Sequence, residues 1–425
     1  MFWLPERLDI SHQVRKRIEE DQLRFMKALP ENLPSYILNN YKFDISGWYG
    51  RRKIKIVFGK ASGQLSMSSK QVRRDGEAGL GFVVLKTVIA QDEEGRRAME
   101  DWARASSRMK AERIKGKSGQ MGWTITWKGR GWTKSFAEYL ELLKETLTVG
   151  KNYQMLIIPS CMLHLPSDEE RWRVEEYRYT LRELSRVWKE ASAEGPLILE
   201  INFSPTLAGS KRASKKETII YWLQSISSIV KSEAEVELGI KVMNASFEDQ
   251  FQVRMLKILA EAEPGPDFIV YANRLFDHEK IFEGQQGVAY GGPDLSSRNL
   301  RVLTLIRKLQ HLGQFPELPS LNATGDISSG RLALEYILRG AESCQMHTLF
   351  QLPGSEYAMK NGTKTARALH RLIFSPADGL IAGMEYIKER WGELLSSDKL
   401  SIKQISALYK KEKFYKENLD VRALD

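Results

Sequence analysis

Pro319-Ser-Leu-Asn-Ala-Thr-Gly-Asp-Ile-Ser-Ser-Gly330 is a short apolar run that ends in small and hydroxyl residues where a helical pattern, Gly330–Arg339, begins. A run this short, closed by a glycine turn and followed at once by apolar residues at helical spacing, reads as a strand leading straight into a helix. Working outward in both directions, the same unit recurs. Strand-like runs stand at Lys53–Phe58, Gly81–Val88, Tyr153–Pro159, Leu197–Phe203, Leu238–Met243, Asp267–Ala272, Pro319–Ala323 and Cys344–Phe350. Helical patterns lie between them at Ser68–Glu77, Ser135–Thr148, Asp168–Ala193, Lys216–Ala234, Phe247–Ala262, Ser297–Leu312 and Gly330–Arg339, with a last one from Ala366 through Leu395.

Strict alternation of strand and helix calls for a parallel sheet, and eight units favour closure into a barrel, because right-handed crossovers then leave no edge. An open doubly wound sheet would carry a glycine-rich dinucleotide turn after the first strand. Gly59-Lys-Ala-Ser-Gly63 stands there instead of G-x-G-x-x-G. The expected fold is therefore α/β, a (β/α)8 TIM barrel over residues 46–395. A helical extension over 1–45 precedes it, amphipathic from Ser11 to Leu29 and ending at Pro30 and Pro34. A second over 396–425, rich in Lys, Glu and Tyr, follows it.

Composition narrows the chemistry. The 425 residues, 42% of them hydrophobic, suffice for one barrel plus extensions. With no run of eighteen apolar residues and no basic-then-apolar leader, a cytoplasmic protein without a membrane span is expected. Two cysteines, Cys161 and Cys344, are too few for an iron–sulfur cluster or a disulfide framework. Any redox chemistry therefore needs a bound organic cofactor. The six histidines show no metal-ligand spacing, and Gly362-Thr-Lys-Thr365 lacks the upstream glycine of a P-loop. The net charge of +10 comes from 64 basic against 54 acidic residues, an excess spread over a large surface that singles out no partner.

In an α/β barrel the functional groups follow each strand. Ala61-Ser62-Gly63 follow the first, small enough for backbone to approach a flat ring, and Lys86-Thr87 follow the second. Asn202-Phe-Ser204-Pro205-Thr206 follow the fourth, Lys241 ends the fifth ahead of Asn244, and Asn273 ends the sixth before a loop holding Gly291-Gly292. Thr324-Gly325 and His347-Thr348 end the last two, next to a helix start, where barrels bind phosphate on backbone N–H groups. The same stretch also suits an ordinary tight turn with Ser328 or Ser329 as helix cap. Lys86 and Lys241 sit in otherwise apolar strands, where an ammonium costs several kcal/mol unless an anion answers it.

These stretches resemble the dihydroorotate dehydrogenase family and the matching domain of dihydropyrimidine dehydrogenase. The likeness is carried by Ala61-Ser62-Gly63 with Glu77-Ala-Gly-Leu-Gly-Phe-Val-Val-Leu-Lys-Thr87, by Glu200-Ile-Asn-Phe-Ser204, and by Asn322 to Gly330 ahead of Gln345-Met-His-Thr348. It implies an FMN oxidoreductase that moves hydride between a dihydropyrimidine-like anionic substrate and the flavin. Ala61, Ser62 and Gly63 would pack on the flavin, Lys86 and Thr87 would touch its ring near the substrate, and Asn202 would meet polar edges of either. Lys241 would stabilise the reduced ring, while Gly291, Gly292, Thr324, Gly325, His347 and Thr348 would hold ribityl and phosphate. Ser204 would be the base, with Lys86 beside it, and Asn202, Thr206 and Asn273 would face the substrate.

The chain also departs from the family. Asn202-Phe-Ser204-Pro205-Thr206 is one residue short of Asn-x-Ser-(Cys or Ser)-Pro-Asn, and Cys161-Met-Leu-His164 stands where a further asparagine is expected. Asp326 replaces a second glycine and would repel a phosphate unless turned away. The shortened loop motivates an alternative, a flavin- or phosphate-binding barrel without turnover that acts in binding or assembly. Arg104 to Lys117, with six Lys/Arg against one Glu, and Lys211, Arg212, Lys215 and Lys216 read either as solvated loops or as a lid for an anionic substrate or an acidic electron-transfer partner. Trp123, Trp127 and Trp132, with Lys128 and Arg130, read as a plug under that lid or a stacking surface. The flavin barrels that reduce tRNA uridines are a further alternative, but their loop cysteine and added helical domain are not evident. Nucleic acid is thus not an expected partner. The electron acceptor is not read from the sequence, and a homodimer is allowed by it.

Overall fold

The computed structural model describes residues 2–103, 109–127, 131–167, 170–191, 193–282, 284–395 and 399–419. Residues 104–108, Lys128 and Arg130, and 420–425 of the C-terminal extension lie outside the described residues, as do the side chains of Trp127 and Thr206.

The core is a parallel half-barrel sheet of ten segments. In chain order they are β1 (Phe58–Lys60), β2 (Phe82–Val84), β3 (Val88–Ile89), β4 (Leu156–Ile158), β5 (Ser160–Met162), β6 (Leu197–Asn202), β7 (Val236–Lys241), β8 (Phe268–Tyr271), β9 (Ser320–Thr324) and β10 (Ala341–Met346). They are hydrogen-bonded in the order β3-β5-β6-β7-β8-β9-β10-β1-β2-β4, every pair parallel. Strands such as β7 are buried along their whole length, as expected where helices cover the outer face and side chains fill the inner one. Packing between neighbours is close. A Cβ on Gly239 would stand 1.9 Å from the Phe268 ring, so only glycine admits that aromatic into the core.

Thirteen α-helices occur among the described residues, and local sequence explains where several start. Ser68, Ser135 and Thr363 each accept a bond from a first-turn backbone N–H. Ser135 does so in a capping box with Glu138, opening the helix Phe136–Tyr153. The expected final helix from Ala366 through Leu395 is two helices, Lys364–Phe374 and Leu380–Trp391. Pro376 interrupts them, and the hydroxyl of Ser375 closes the turn by donating to Asp378 at 2.5 Å. Leu33–Tyr41 is a helix, although its prolines suggested an end. Pro34 sits in the first turn, where a missing N–H costs nothing, and Asn32 caps it.

The first and last strands lie elsewhere than expected. Arg52–Ile54 pairs antiparallel with Gly47–Tyr49, and the sheet strand is β1 further on. The alternation Lys53-Ile54-Lys55-Ile56 belongs to a half-buried hairpin, not to a strand covered on both faces. β10 spans Ala341–Met346, and Thr348–Gln351 is a 3-10 turn. Two further antiparallel hairpins, Met109–Lys115 with Met121–Trp127 and Leu275–Phe282 with Gln285–Tyr290, stand where basic and glycine-rich loops were expected.

Both terminal segments pack into the same core. Phe43–Asp44 pairs with Leu400–Ser401, the Trp3 and Phe414 rings meet edge to face at 5.3 Å, and the backbone N–H groups of Trp3 and Leu4 donate to the buried Glu335 carboxylate. No helix among the described residues is long and apolar enough to cross a membrane.

Candidate functional site

The C-terminal ends of the strands surround a cavity of about 1310 Å3, counted out to its open mouth. Its wall gathers residues that lie far apart in sequence. β1 is followed by Ala61, Ser62 and Gly63, and β2 by Lys86 and Thr87. β6 delivers Asn202 and then Ser204, β7 delivers Lys241, and Asn273 follows β8. Gly291, Gly292, Thr324, Gly325, His347 and Thr348 complete it. These residues, proposed from the sequence for cofactor, substrate and catalysis, therefore border one space, with Asn244 behind it. Thr206 belongs to the turn Pro205–Gly209, and its side chain lies outside the described residues. The sequence reading had passed over Gln64, Trp102, Met162, Arg274 and Arg371, which also line the cavity.

A ladder of small polar groups runs across the floor. The Thr87 hydroxyl is 2.8 Å from that of Ser62 and 3.0 Å from that of Ser160, and it accepts from the Asn202 amide at 2.9 Å. Asn273 in turn donates to the Asn202 side-chain oxygen at 2.9 Å and to the Phe203 carbonyl at 2.6 Å. Asn244 braces this end from behind, donating to the Asn273 carbonyl and, at 3.1 Å, to Asn299. Ser160 is the β5 residue that joins the ladder. The neighbouring Cys161 and His164 are buried, and burial pushes the Cys161 thiol far up.

Lys241 is answered from inside the protein. Its ammonium donates to Gln345 at 2.8 Å and lies 3.4 Å from the Glu200 carboxylate, which also accepts from Tyr49 and from Gln345, each at 2.8 Å. The anion that answers the Lys241 ammonium is thus the Glu200 carboxylate. Lys60 is likewise held by Asp75.

The wall is cationic. Burial brings the Lys86 amine down to about 7 and the Arg274 guanidinium down to about 10. His347 is held well below the usual imidazole range, first by burial and then by Arg274, Lys86, Lys60 and Lys241 around it. Both of its ring nitrogens are closed off from solvent and have no hydrogen-bond partner among the described residues. Gly63 makes room for that ring, since a Cβ there would stand 2.3 Å from His347 Cε1.

At the mouth, Ser329 caps the helix Gly330–Leu338 by accepting from Leu332 N at 3.2 Å, so its hydroxyl serves the helix, as the tight-turn reading allowed. The second helix here, Pro293–His311, begins after Gly292 (φ +96°) without a side-chain cap; Pro293 has no N–H, and Leu295 N donates to Gly292 O at 2.9 Å. Asp326 (φ +53°) accepts from the Ser296 hydroxyl at 3.0 Å, and burial lifts its carboxyl to about 7. Near neutral pH it is therefore a weak source of negative charge.

The hairpin Met109–Trp127 closes one side. Trp123 lines the cavity, Thr124 accepts from Gly291 N at 2.9 Å, and Ile125 O accepts from Arg274 at 2.6 Å. The side chain of Arg113 lies over the Trp123 ring. Trp132 is a core residue packed edge to face on Tyr139. Of the second basic cluster, Arg212 pairs with Glu170 and Lys216 with Glu248, contacts of an ordinary surface. No protein-family model matches the chain, and a search of curated proteins returned no matching relative.

Proposed function

We propose that this chain is an FMN-dependent oxidoreductase, resembling the dihydroorotate dehydrogenases, built on a closed eight-stranded β/α barrel. Support for closure comes from the pairing. β2 and β3 are consecutive lengths of one run, as are β4 and β5, and β2 pairs with β4 while β3 pairs with β5. Taking each run as one interrupted strand gives eight strands and joins the two ends of the sheet.

The observation that carries the function is the cationic cavity itself, where Lys86 and Arg274 face inward beside a neutral His347 with both ring nitrogens unbonded. Such a wall favours a flat ligand bearing negative charge and hydrogen-bonding edges. The residues present fit FMN. Ala61, Ser62 and Gly63 leave a smooth surface for a ring, and His347 and the Asn202–Thr87 ladder offer polar contacts. The positive end of the helix that starts after Gly292, with the glycine turn at Gly325, suits a phosphate. When bound, FMN supplies the hydride acceptor or donor.

The protein's own part is positioning and proton handling. Ser204, nearly buried at the start of its 3-10 turn, is the candidate to take a carbon-bound proton from the substrate. A serine is a poor base near neutral pH unless the proton passes on. The Lys86 amine, uncharged in about half of the molecules near pH 7, has the proton affinity to hold it. Asn273 and Asn202 orient the substrate edge.

A second reading, a binding barrel without turnover, is favoured by one observation. Asn202, Asn273 and Thr87 are engaged with one another, so fewer amide groups remain for a substrate. An absorbance spectrum of the purified protein through the near-ultraviolet and visible, followed by anaerobic addition of dihydroorotate, separates the two. Flavin bands that bleach support the oxidoreductase. Bands that persist, with no substrate bleaching them, leave the binder, and a colourless protein that takes up no FMN overturns both flavin readings.

A further inference from the structure

Asn273 follows the eighth sheet segment, and the next residue, Arg274, lines the same cavity. A guanidinium keeps its charge through the neutral range and presents a planar fork of donors that matches a carboxylate or phosphate edge. One arm of the Arg274 fork is fixed. Its Nη1 donates at 2.6 Å to the carbonyl of Ile125 on the Met109–Trp127 hairpin, and that hairpin is itself clamped to the cavity rim through Thr124 and Gly291 N. A fork held at one arm has already lost most of its side-chain freedom, so little more is lost when it meets a ligand.

Its surroundings have the right sign. Lys86 lines the same wall, and His347, also on it, is kept neutral in part by the Arg274 charge, which places the two side chains within each other's field. Lys241 is paired with Glu200 and Gln345, and Lys60 with Asp75. We propose that Arg274 is the oxyanion-binding and specificity-determining residue of this cavity, gripping a carboxylate or phosphate oxygen of the ligand while the hairpin holds its fork in place. This rests on the cavity being the ligand site, but not on the ligand being a flavin. Two sources share the chemistry: the carboxylate of a small ring substrate and the phosphate of the mononucleotide.

The test compares ligand pairs that differ only in the anion. Full-length protein and its Arg274→Gln and Arg274→Lys variants are titrated calorimetrically with orotate against uracil, and with FMN against riboflavin. Loss of a hydrogen bond to a charged group predicts that Arg274→Gln narrows one of the two affinity ratios by about ten- to a hundredfold. Arg274→Lys should restore part of it, since the charge returns without the fork. A narrowed orotate-to-uracil ratio identifies the substrate carboxylate, and a narrowed FMN-to-riboflavin ratio identifies the phosphate. Both ratios unchanged in variants with parental circular dichroism would overturn the proposal and leave Arg274 as a pin for the hairpin. If Arg274→Gln fails to fold, Arg274→Lys carries the test, with an unchanged ratio overturning it in the same way. Absence of any flavin binding would sink the oxidoreductase reading, yet the orotate comparison would still decide the role of Arg274.

Discussion

Replacing Lys241 by methionine should destabilise the protein by about 3 kcal/mol. Removing one partner of a buried ion pair typically costs about 3–5 kcal/mol, because the remaining charge is stranded. The stranded group would be Glu200, which is 0% exposed. Two features place the cost at the lower end. The Lys241–Glu200 contact is long, at 3.4 Å, and Glu200 keeps its bonds from Tyr49 and Gln345, both at 2.8 Å. Methionine fills a similar volume, so little cavity term is added. Against a typical total stability of about 5–15 kcal/mol the loss is large, and it lowers a urea midpoint by on the order of 1 M for a slope near 3 kcal/mol per molar. The double variant Lys241→Met with Glu200→Gln removes the stranded charge and should recover most of the loss, giving a coupling of roughly 2 kcal/mol or more. Urea denaturation of the four proteins without added ligand, followed by tryptophan fluorescence, measures it. A single Lys241→Met variant within about 0.5 kcal/mol of the parent, or two single costs that simply add, would refute the internal pairing. Lys241 would then be held for a ligand after all.

Three further perturbations test the cavity wall. Lys86 carries its charge at a cost, with burial lowering it from 10.5 to about 7, so it binds fewer protons folded than unfolded between those values. Stability should therefore rise as pH climbs from about 7 toward 10.5. An anionic ligand that restores the charge should take up close to one proton at pH 8, seen as a buffer-dependent binding enthalpy that vanishes in Lys86→Gln. Asp326 is the opposite case. Its carboxyl is raised from 3.8 to about 7, so its contribution to stability is greatest below 3.8 and declines as pH rises to about 7. Anion affinity should also fall above pH 7, and Asp326→Asn should bind an anion roughly tenfold tighter at pH 8, the scale of one unit charge about 12 Å away at an effective dielectric near 20. Equal affinities at pH 8 would show that Asp326 does not face the ligand. Gly63→Ala should displace the His347 ring, which a Cβ would approach to 2.3 Å, costing about 1–3 kcal/mol in stability by denaturant titration and weakening ligand binding. Parental stability and affinity would mean that the ring moves freely.

The strand ends were legible because a parallel sheet covered by helices turns polar only where its strands emerge. Lys86, Asn202, Lys241 and Asn273 each follow or end an apolar run, and each borders the cavity. Arg274 obeyed the same rule and was passed over beside the asparagine. Glu200 was quoted only as part of a motif. Yet it lies two residues before Asn202 on one strand, so both side chains share a face, and β6 pairs with β7 with Asn202 opposite Lys241. A carboxylate at that register stands within reach of the neighbouring lysine, and reading the two strands together would have paired them. The hairpins at Met109–Trp127 and Leu275–Tyr290 were not legible for a different reason. Their residues are half-buried against the rim without a clean apolar alternation, and what fixes them is tertiary: Thr124 on Gly291, Ile125 on Arg274, and Phe276 against Gly209.

The electrostatics then divide the site in a way that the strand-end residues alone do not suggest. Lys60 and Lys241 stand in the sheet and are neutralised by Asp75 and Glu200, so their charges stabilise the framework and contribute little net field. Lys86 and Arg274 stand on the wall, where burial is what lowers both. A ligand that brings negative charge to the wall offsets that burial cost at two positions together, whereas a neutral ligand leaves it in place. Selectivity for an anion thus follows from the burial of the two cations on the wall. A further carboxylate on the wall beside Asp326, as in Gln64→Glu, should weaken an anionic ligand and spare an uncharged one of the same shape.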